Sequence, residues 1–393
     1  MVKEITPQAL SKKMEKEPFF LLDVRKPESF EKSPMEQKKK LPYHNASYFE
    51  MMEGWEKEEK DRAIKQYVQD RLADRLPEEE VVVVVCAQGK SSAYVADVLA
   101  ALDYDAHSLE GGLAAWSDYY ERKTVAQTED LTIYQIIRVA KGCLSYVVVS
   151  KGEAIVIDPL RNTRIYLDLF DELNIKPVQI LDTHAHADHI SGGKKLADTL
   201  NLPYNLHPYD GIHPMDILPA AFDYTPSWEN SAYSFGNANL KTLHIPGHTL
   251  GNEAFLLNDS FLFTGDSIFI GSISRPDLGG QAETWTELHY QSINKLLALS
   301  HNPTVLPAHF GSYGEANEDF SFHAPLDTLK ETNEGLKMAQ KPLEEFSDYI
   351  LSNLPDFPEE YIEIKRVNLG LSKPDEEKAS ELESGKNVCA IGK

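Results

Sequence analysis

The chain has 393 residues, 42 % hydrophobic and 26 % charged, enough for two or three domains with separate cores. A net charge of -23 disfavours nucleic-acid binding, and no apolar run approaches the roughly 20 residues of a bilayer span. Three cysteines (Cys86, Cys143, Cys389) cannot make a disulfide framework and the N-terminal MVKEITPQALSKKMEKE has no apolar signal core, so a reducing cytoplasm is expected; composition leaves the oligomeric state open.

Taken in chain order, residues 1–124 alternate strands with helices. Thr6-Pro7 starts a helix, Phe19 to Val24 is an apolar strand, and the charged insertion 50–77 suits solvent-facing helices of no assigned role. Glu78 to Cys86 shows no polar alternation, so both its faces should be covered. A helix at Ser92 to Leu102, a strand at Ala106 to Leu109 and a closing helix at Leu113 to Tyr120 complete a doubly wound α/β domain.

The hydrophobic pattern lapses over Glu121 to Asp130, where the domain boundary is placed. Residues 131–325 are strand-rich, with runs at 131–139, 144–149, 154–157, 178–181, 240–245, 254–257 and 260–263 and a helix near 165–173. They predict a layered domain with polar residues at strand ends. Residues 326–393 read as a helical extension ending in about 20 polar residues expected to be flexible.

The strongest chemical signal is Leu181-Asp-Thr-His184-Ala-His186-Ala-Asp188-His189, directly after an apolar strand. Imidazoles and carboxylates crowded this closely are costly unless a divalent cation relieves both desolvation and repulsion. Asp158 in AIVIDP, His248 in HIPGHTLGN, Asp266 in LFTGDS and His309 in VLPAHF repeat one form: a metal-ligand type ending an apolar strand.

These segments resemble the metallo-β-lactamase superfamily, a sandwich of two sheets flanked by helices (αββα), and within it the glyoxalase II and persulfide dioxygenase branches. The dioxygenase resemblance implies one Fe(II) per chain on His184, His248 and Asp266, with positions open for O2 and an anionic sulfur. His186, Asp188, His189, His309 and Asp158 then orient ligands or bind protons, Asp188 being a catalytic candidate. The glyoxalase II resemblance instead implies two zinc ions, with part of that set as a second site. Arg275 in SRPDLGG resembles the Arg-x-Asp segment of the dioxygenases and stands either as a substrate-carboxylate partner or as a structural pair with Asp277. Tyr313 is a candidate for lining the pocket. The FGSYGEANEDF segment after His309 departs from glutathione-using forms, leaving the thiol carrier open.

Cys86-Ala-Gln-Gly89-Lys90-Ser91-Ser92 lies between a buried strand and a helix, where backbone N–H groups and a helix N-terminus stabilise a thiolate or anionic sulfur. Cys86 is therefore the candidate nucleophile, with Gly89, Lys90 and Ser91 as sulfur-binding groups. With LDVR upstream and LEGGLAAW downstream, this domain resembles the rhodanese family. A Cys-x5-Arg phosphatase needs Arg at position 92, which is serine here. Cys143 reads as a packing residue, and Cys389 as either an exposed thiol or one folded back on the body.

Together the resemblances imply oxidation of a small-molecule thiol persulfide with O2 to sulfite and thiol, coupled to sulfur transfer at Cys86 that involves sulfite and thiosulfate. A binuclear zinc thioester hydrolase and a non-catalytic sulfur-sensing protein are the alternatives.

Overall fold

The computed structural model describes residues 3–385 and 387–391. The chain forms two compact units, the first running to Tyr120 and the second holding nearly everything after it.

The first unit is built on a five-stranded parallel sheet in the order Glu4–Ile5, Ala106–Leu109, Val82–Val85, Phe20–Asp23, Tyr43–Asn45. Val82 to Val85 are all fully buried, the outcome expected of a strand covered on both faces. Each such side chain contributes about 1.5–3 kcal/mol of burial. Thr6 caps the helix Pro7–Lys16 by accepting the Ala9 amide, with Pro7 supplying a preset φ at the first turn.

In the second unit a seven-stranded and a six-stranded sheet form the two β layers. The first runs Thr225–Pro226, Tyr204–Leu206, Lys176–Leu181, Glu153–Ile157, Cys143–Ser150, Leu131–Arg138, Tyr120–Gln127. The second runs Ala232–Phe235, Ala238–His244, Glu253–Leu257, Phe261–Gly265, Thr304–Pro307, Ala324–Pro325. Behind the second sheet, Ile293 and Leu296 of the helix Ala282–Leu297 join Phe346 and Ile350 of the helix Leu343–Ser352 in one apolar cluster.

The two units part at Tyr120, where the hydrophobic pattern lapses, and most of the 121–130 stretch forms the edge strand Tyr120–Gln127, whose charged residues are tolerated because an edge strand faces solvent. One expectation is corrected here. The polar C-terminus is not flexible: a helix spans Glu376–Leu382, and Cys389 and Ile391 are fully buried. Both apolar residues are anchored in a stretch too short to show a hydrophobic period. Among the described residues, no helix is long and apolar enough to cross a membrane.

Candidate metal centre

Parallel pairing brings the polar strand ends together. Lys176–Leu181 pairs with Glu153–Ile157 so that Leu181 faces Ile157, which sets Asp182 and Asp158 side by side where the strands stop. Phe261–Gly265 pairs with Thr304–Pro307 in the same sense, so Asp266 and His309 emerge at one level from the other sheet. His248 arrives on the turn after Ala238–His244, and Gly247 makes that turn possible. Its φ is +153°, and a Cβ there would lie 2.5 Å from His289 Cα.

All of these groups are buried. His184 Nε2 lies 3.9 Å and His248 Nε2 3.3 Å from Asp266 Oδ2, and among the described residues none of the three atoms has a hydrogen-bond partner. Thr183 Oγ1 donates to the Asp158 carboxylate, so it accepts from His184 Nδ1 at 2.9 Å. His248 Nδ1 donates to the Arg275 carbonyl at 2.8 Å. Both imidazoles are thereby held with Nε2 as the free lone pair. Burial keeps His184 well below the usual histidine range, helped by the His186 and His248 rings, and burial also lowers His248. Burial works to raise the Asp266 carboxyl, but His309 and His248 beside it bring the net shift downward. Neutral imidazoles converging with an ionised carboxylate through atoms that lack partners among the described residues fit a divalent cation.

A second set adjoins it. Cys143, Asp188, His189 and His309 place one ligand atom each within 4.8 Å of one another. His309 bridges the carboxylates, with Nδ1 2.5 Å from Asp266 Oδ1 and Nε2 2.9 Å from Asp188 Oδ2. Burial opposes its charge, but Asp188 and Asp266 hold His309 well above its ordinary range. Against burial likewise, Cys143 and Asp188 raise His189 to about 10. Cys143 is thus no mere packing residue: its Sγ lies 3.6 Å from Asp188 Oδ2, a contact its place in an apolar strand did not announce. His186 Nε2 lies 3.2 Å from Asp158 Oδ1.

The groups that hold the motif in place come from distant parts of the chain and carried no sequence signal. Asp210 accepts the Ala185 amide, the Thr249 hydroxyl and the Gly251 amide at 2.7–2.8 Å, tying the two histidine loops together. Asn368 donates to the His186 and His189 carbonyls, and Glu383 accepts the Ile190 amide. The C-terminal helices are therefore part of the site and not an appendage.

Two substrate-binding assignments are corrected. Arg275 is fully buried, pairs bidentately with Asp277 and donates to the Pro355, Asp356 and Val388 carbonyls, leaving its guanidinium no free face for a substrate. Tyr313 is buried against Phe310, Phe320 and Phe322, so its ring packs in an aromatic cluster. The cavity beside the metal centre, about 210 Å³, is lined instead by Ala185, Ile212, Ile217, Leu250, Trp285 and Lys365, among others. Lys365 is buried and makes no ion pair or side-chain hydrogen bond among the described residues; burial lowers its pKa.

In the first unit, Cys86 ends the strand Val82–Val85 and the helix Lys90–Ala100 begins four residues later. Gly89 takes a left-handed φ of +81°, Lys90 is exposed and Ser91 half-buried. The Cys86 carbonyl accepts the Leu113 amide, and its Sγ lies 3.3 Å from Ser92 Oγ, which in turn accepts from Ser108. A larger cleft, about 580 Å³, is lined by Glu50, Trp55, Tyr67 and Arg71 of the charged insertion, among others, and by none of the candidate residues.

A two-layer sandwich with a buried histidine and aspartate centre at its strand ends, preceded by a parallel sheet with a cysteine loop, defines a two-domain metal-binding protein. Residues 138–309 match the metallo-β-lactamase superfamily and residues 6–119 the rhodanese-like domain. A hydroxyacylglutathione hydrolase from Pelagibacter ubique (strain HTCC1062) is 31 % identical over 255 residues, 63 % of this chain and 96 % of that protein. The mitochondrial persulfide dioxygenase ETHE1 of Bos taurus is 32 % identical over 163 residues, 40 % of this chain and 59 % of that protein. A metallo-β-lactamase structure from Staphylococcus aureus subsp. aureus COL superposes with a TM-score of 0.53 at 27 % identity, covering 61 % of this chain and 73 % of that one. The chain belongs to the metallo-β-lactamase superfamily and carries a rhodanese-like domain ahead of its metal-binding domain.

Proposed function

We propose that this chain oxidises the terminal sulfur of a low-molecular-weight thiol persulfide at a single iron held by His184, His248 and Asp266, and that Cys86 carries sulfane sulfur in the rhodanese-like domain. The observation that carries the reading is the convergence of His184 Nε2, His248 Nε2 and Asp266 Oδ2, three buried donors without partners among the described residues, in a chain that also has a cysteine loop in a rhodanese-like domain. The printed name of the Bos taurus relative supports the same substrate class. The conversion is RSSH + O2 + H2O to RSH, sulfite and two protons.

Ferrous iron held by two histidines and one carboxylate supplies the electron chemistry that makes O2 reactive. The chain does the rest. Asp158 and Thr183 fix His184, the Arg275 carbonyl fixes His248, and Lys365 offers an ammonium to the anionic sulfur. Ile212, Ile217, Leu250 and Trp285 give the thiol carrier an apolar wall to lie against.

The adjoining Asp188, His189 and His309 favour a second reading, a binuclear zinc hydrolase of thioesters, in keeping with the printed name of the Pelagibacter relative. Anaerobic purification with metal analysis, then O2 uptake on a panel of thiol persulfides and hydrolysis of thioesters, separates the two. One iron with persulfide-dependent O2 uptake supports the proposal. Two zinc ions per chain with thioester hydrolysis and no O2 uptake would falsify it.

A further inference from the structure

The metal centre has a wall that neither function uses. The C-terminal segment 387–391 runs along it, and Cys389 Sγ, an Asp188 carboxylate oxygen and an Asp266 carboxylate oxygen all lie within 4.8 Å of one another. Cys389 is fully exposed to these carboxylates and not at all to solvent. Asn387, Val388, Cys389 and Ile391 hold the segment there. Asn387 donates to Asp188 Oδ2 at 3.0 Å and accepts the Cys389 amide; the Val388 amide donates to the Tyr361 hydroxyl. The Cys389 carbonyl accepts the Arg275 amide at 2.8 Å, and the Ile391 amide donates to Ile273.

A buried cysteine is ordinarily a small apolar side chain, and Cys389 does belong to an apolar cluster with Ala187, Phe269, Leu278 and Tyr361, whose hydroxyl lies 3.7 Å from its Sγ. Its flank toward the carboxylates is different in kind. Two carboxylates facing a thiol in a dry interior repel the thiolate, and an apolar side chain there would serve packing better than sulfur does. Asp266 Oδ2 and His189 Nε2 stand in the same centre with no hydrogen-bond partner. Two carboxylates and one thiol make a borderline-soft donor set suited to zinc, cobalt or cadmium as well as iron.

We infer that the C-terminal segment supplies a sulfur donor to the metal centre, Cys389 Sγ joining Asp188 and Asp266 around a bound cation. The thiol gives up its proton when the cation binds, and no electron is transferred. Occupancy of the centre and order of the C-terminus are then linked, because the same five residues carry the donor and the hydrogen bonds that seat it. An incoming anionic sulfur competes with Cys389 for the cation. The inference concerns the metal centre alone and stands whether the enzyme oxidises persulfides or hydrolyses thioesters.

The test uses the full-length chain, stripped of metal by chelation and reloaded anaerobically with Co(II), read by near-ultraviolet thiolate-to-cobalt charge transfer. The chain has only three cysteines, so the double variant Cys86→Ser/Cys143→Ser leaves Cys389 as the sole thiol. The band is expected in the wild type and in that double variant, to weaken in Cys389→Ser, and to vanish in the triple variant Cys86→Ser/Cys143→Ser/Cys389→Ser while cobalt remains bound. Where Cys389→Ser does not fold, the double variant decides alone, with 113Cd resonance position as a second reading of sulfur coordination. Absence of the band in the wild type, its absence in the double variant, or its undiminished intensity in Cys389→Ser overturns the inference. None of these readings depends on turnover, so a failed persulfide assay leaves the result intact.

Discussion

His248 donates its Nδ1 proton to the backbone carbonyl of Arg275 at 2.8 Å, so a metal-centre imidazole is oriented by a residue 27 positions along the chain. The Arg275 guanidinium meanwhile holds Asp277 and three carbonyls. Arg275→Ala leaves Asp277 and those carbonyls without their buried donor, at a cost of about 3–5 kcal/mol. Thermal unfolding should show a large drop in Tm together with lost metal. A raised KM at unchanged Tm would instead return Arg275 to the substrate.

His248→Ala removes one of three converging donors and should abolish both iron binding and O2 uptake. His309→Ala keeps that triad whole, so part of the iron and of the activity should survive. Metal content and O2 uptake measured on both variants check this; equal total loss in the two points to the binuclear alternative.

Asp210 touches no ligand, yet its carboxylate joins the Ala185 amide to Thr249 and Gly251. Asp210→Asn places an amide N–H against donors and should weaken metal affinity by about 10–100-fold, as losses of such supporting contacts do. Competition with a graded series of chelators measures it, and unchanged affinity contradicts the tethering role.

Glu253 is fully buried, and burial raises its carboxyl from 4.5 to about 8. Below pH 4.5 folded and unfolded chains both hold the proton. Between 4.5 and about 8 the unfolded chain releases it first, so folding loses stability across that window and levels off above it. Glu253→Gln carries no such proton, so its Tm should gain on the wild type through the same window and then run parallel. A constant Tm difference at all pH values contradicts the assignment.

Cys86→Ser should eliminate thiosulfate-to-thiol sulfur transfer, because a hydroxyl cannot hold a sulfane sulfur, and should leave iron content and O2 uptake with a free persulfide largely intact. Rates of both reactions, measured side by side, check this. Undiminished sulfur transfer sinks the role of Cys86, whereas lost O2 uptake with intact iron shows that the persulfide passes through it.

The ligand types and their strand-end positions were readable from primary structure, because an apolar run that stops at His or Asp marks both a strand and the polar group it delivers. His184, His248, Asp266 and His309 were singled out that way, His186, Asp188 and His189 by their crowding after His184, and the structure brings all seven into one buried region, as it buries the unalternating Val82 to Val85. Arg275 and Tyr313 were left open between substrate and packing roles because a charge or a ring beside a motif reads alike whether it faces a cavity or the core. Only the tertiary structure decides which it faces, and it buries both. Which imidazole nitrogen is free, and which residues hold the motif, depend on contacts such as Asn368 to His186 and Asn387 to Asp188, about 180–200 positions apart, that no local period encodes. The burial of Cys389 is of the same kind: a short polar tail has too few apolar residues to declare a partner, and hydrogen bonds to Tyr361 and Ile273 and from the Arg275 amide fix where it lies.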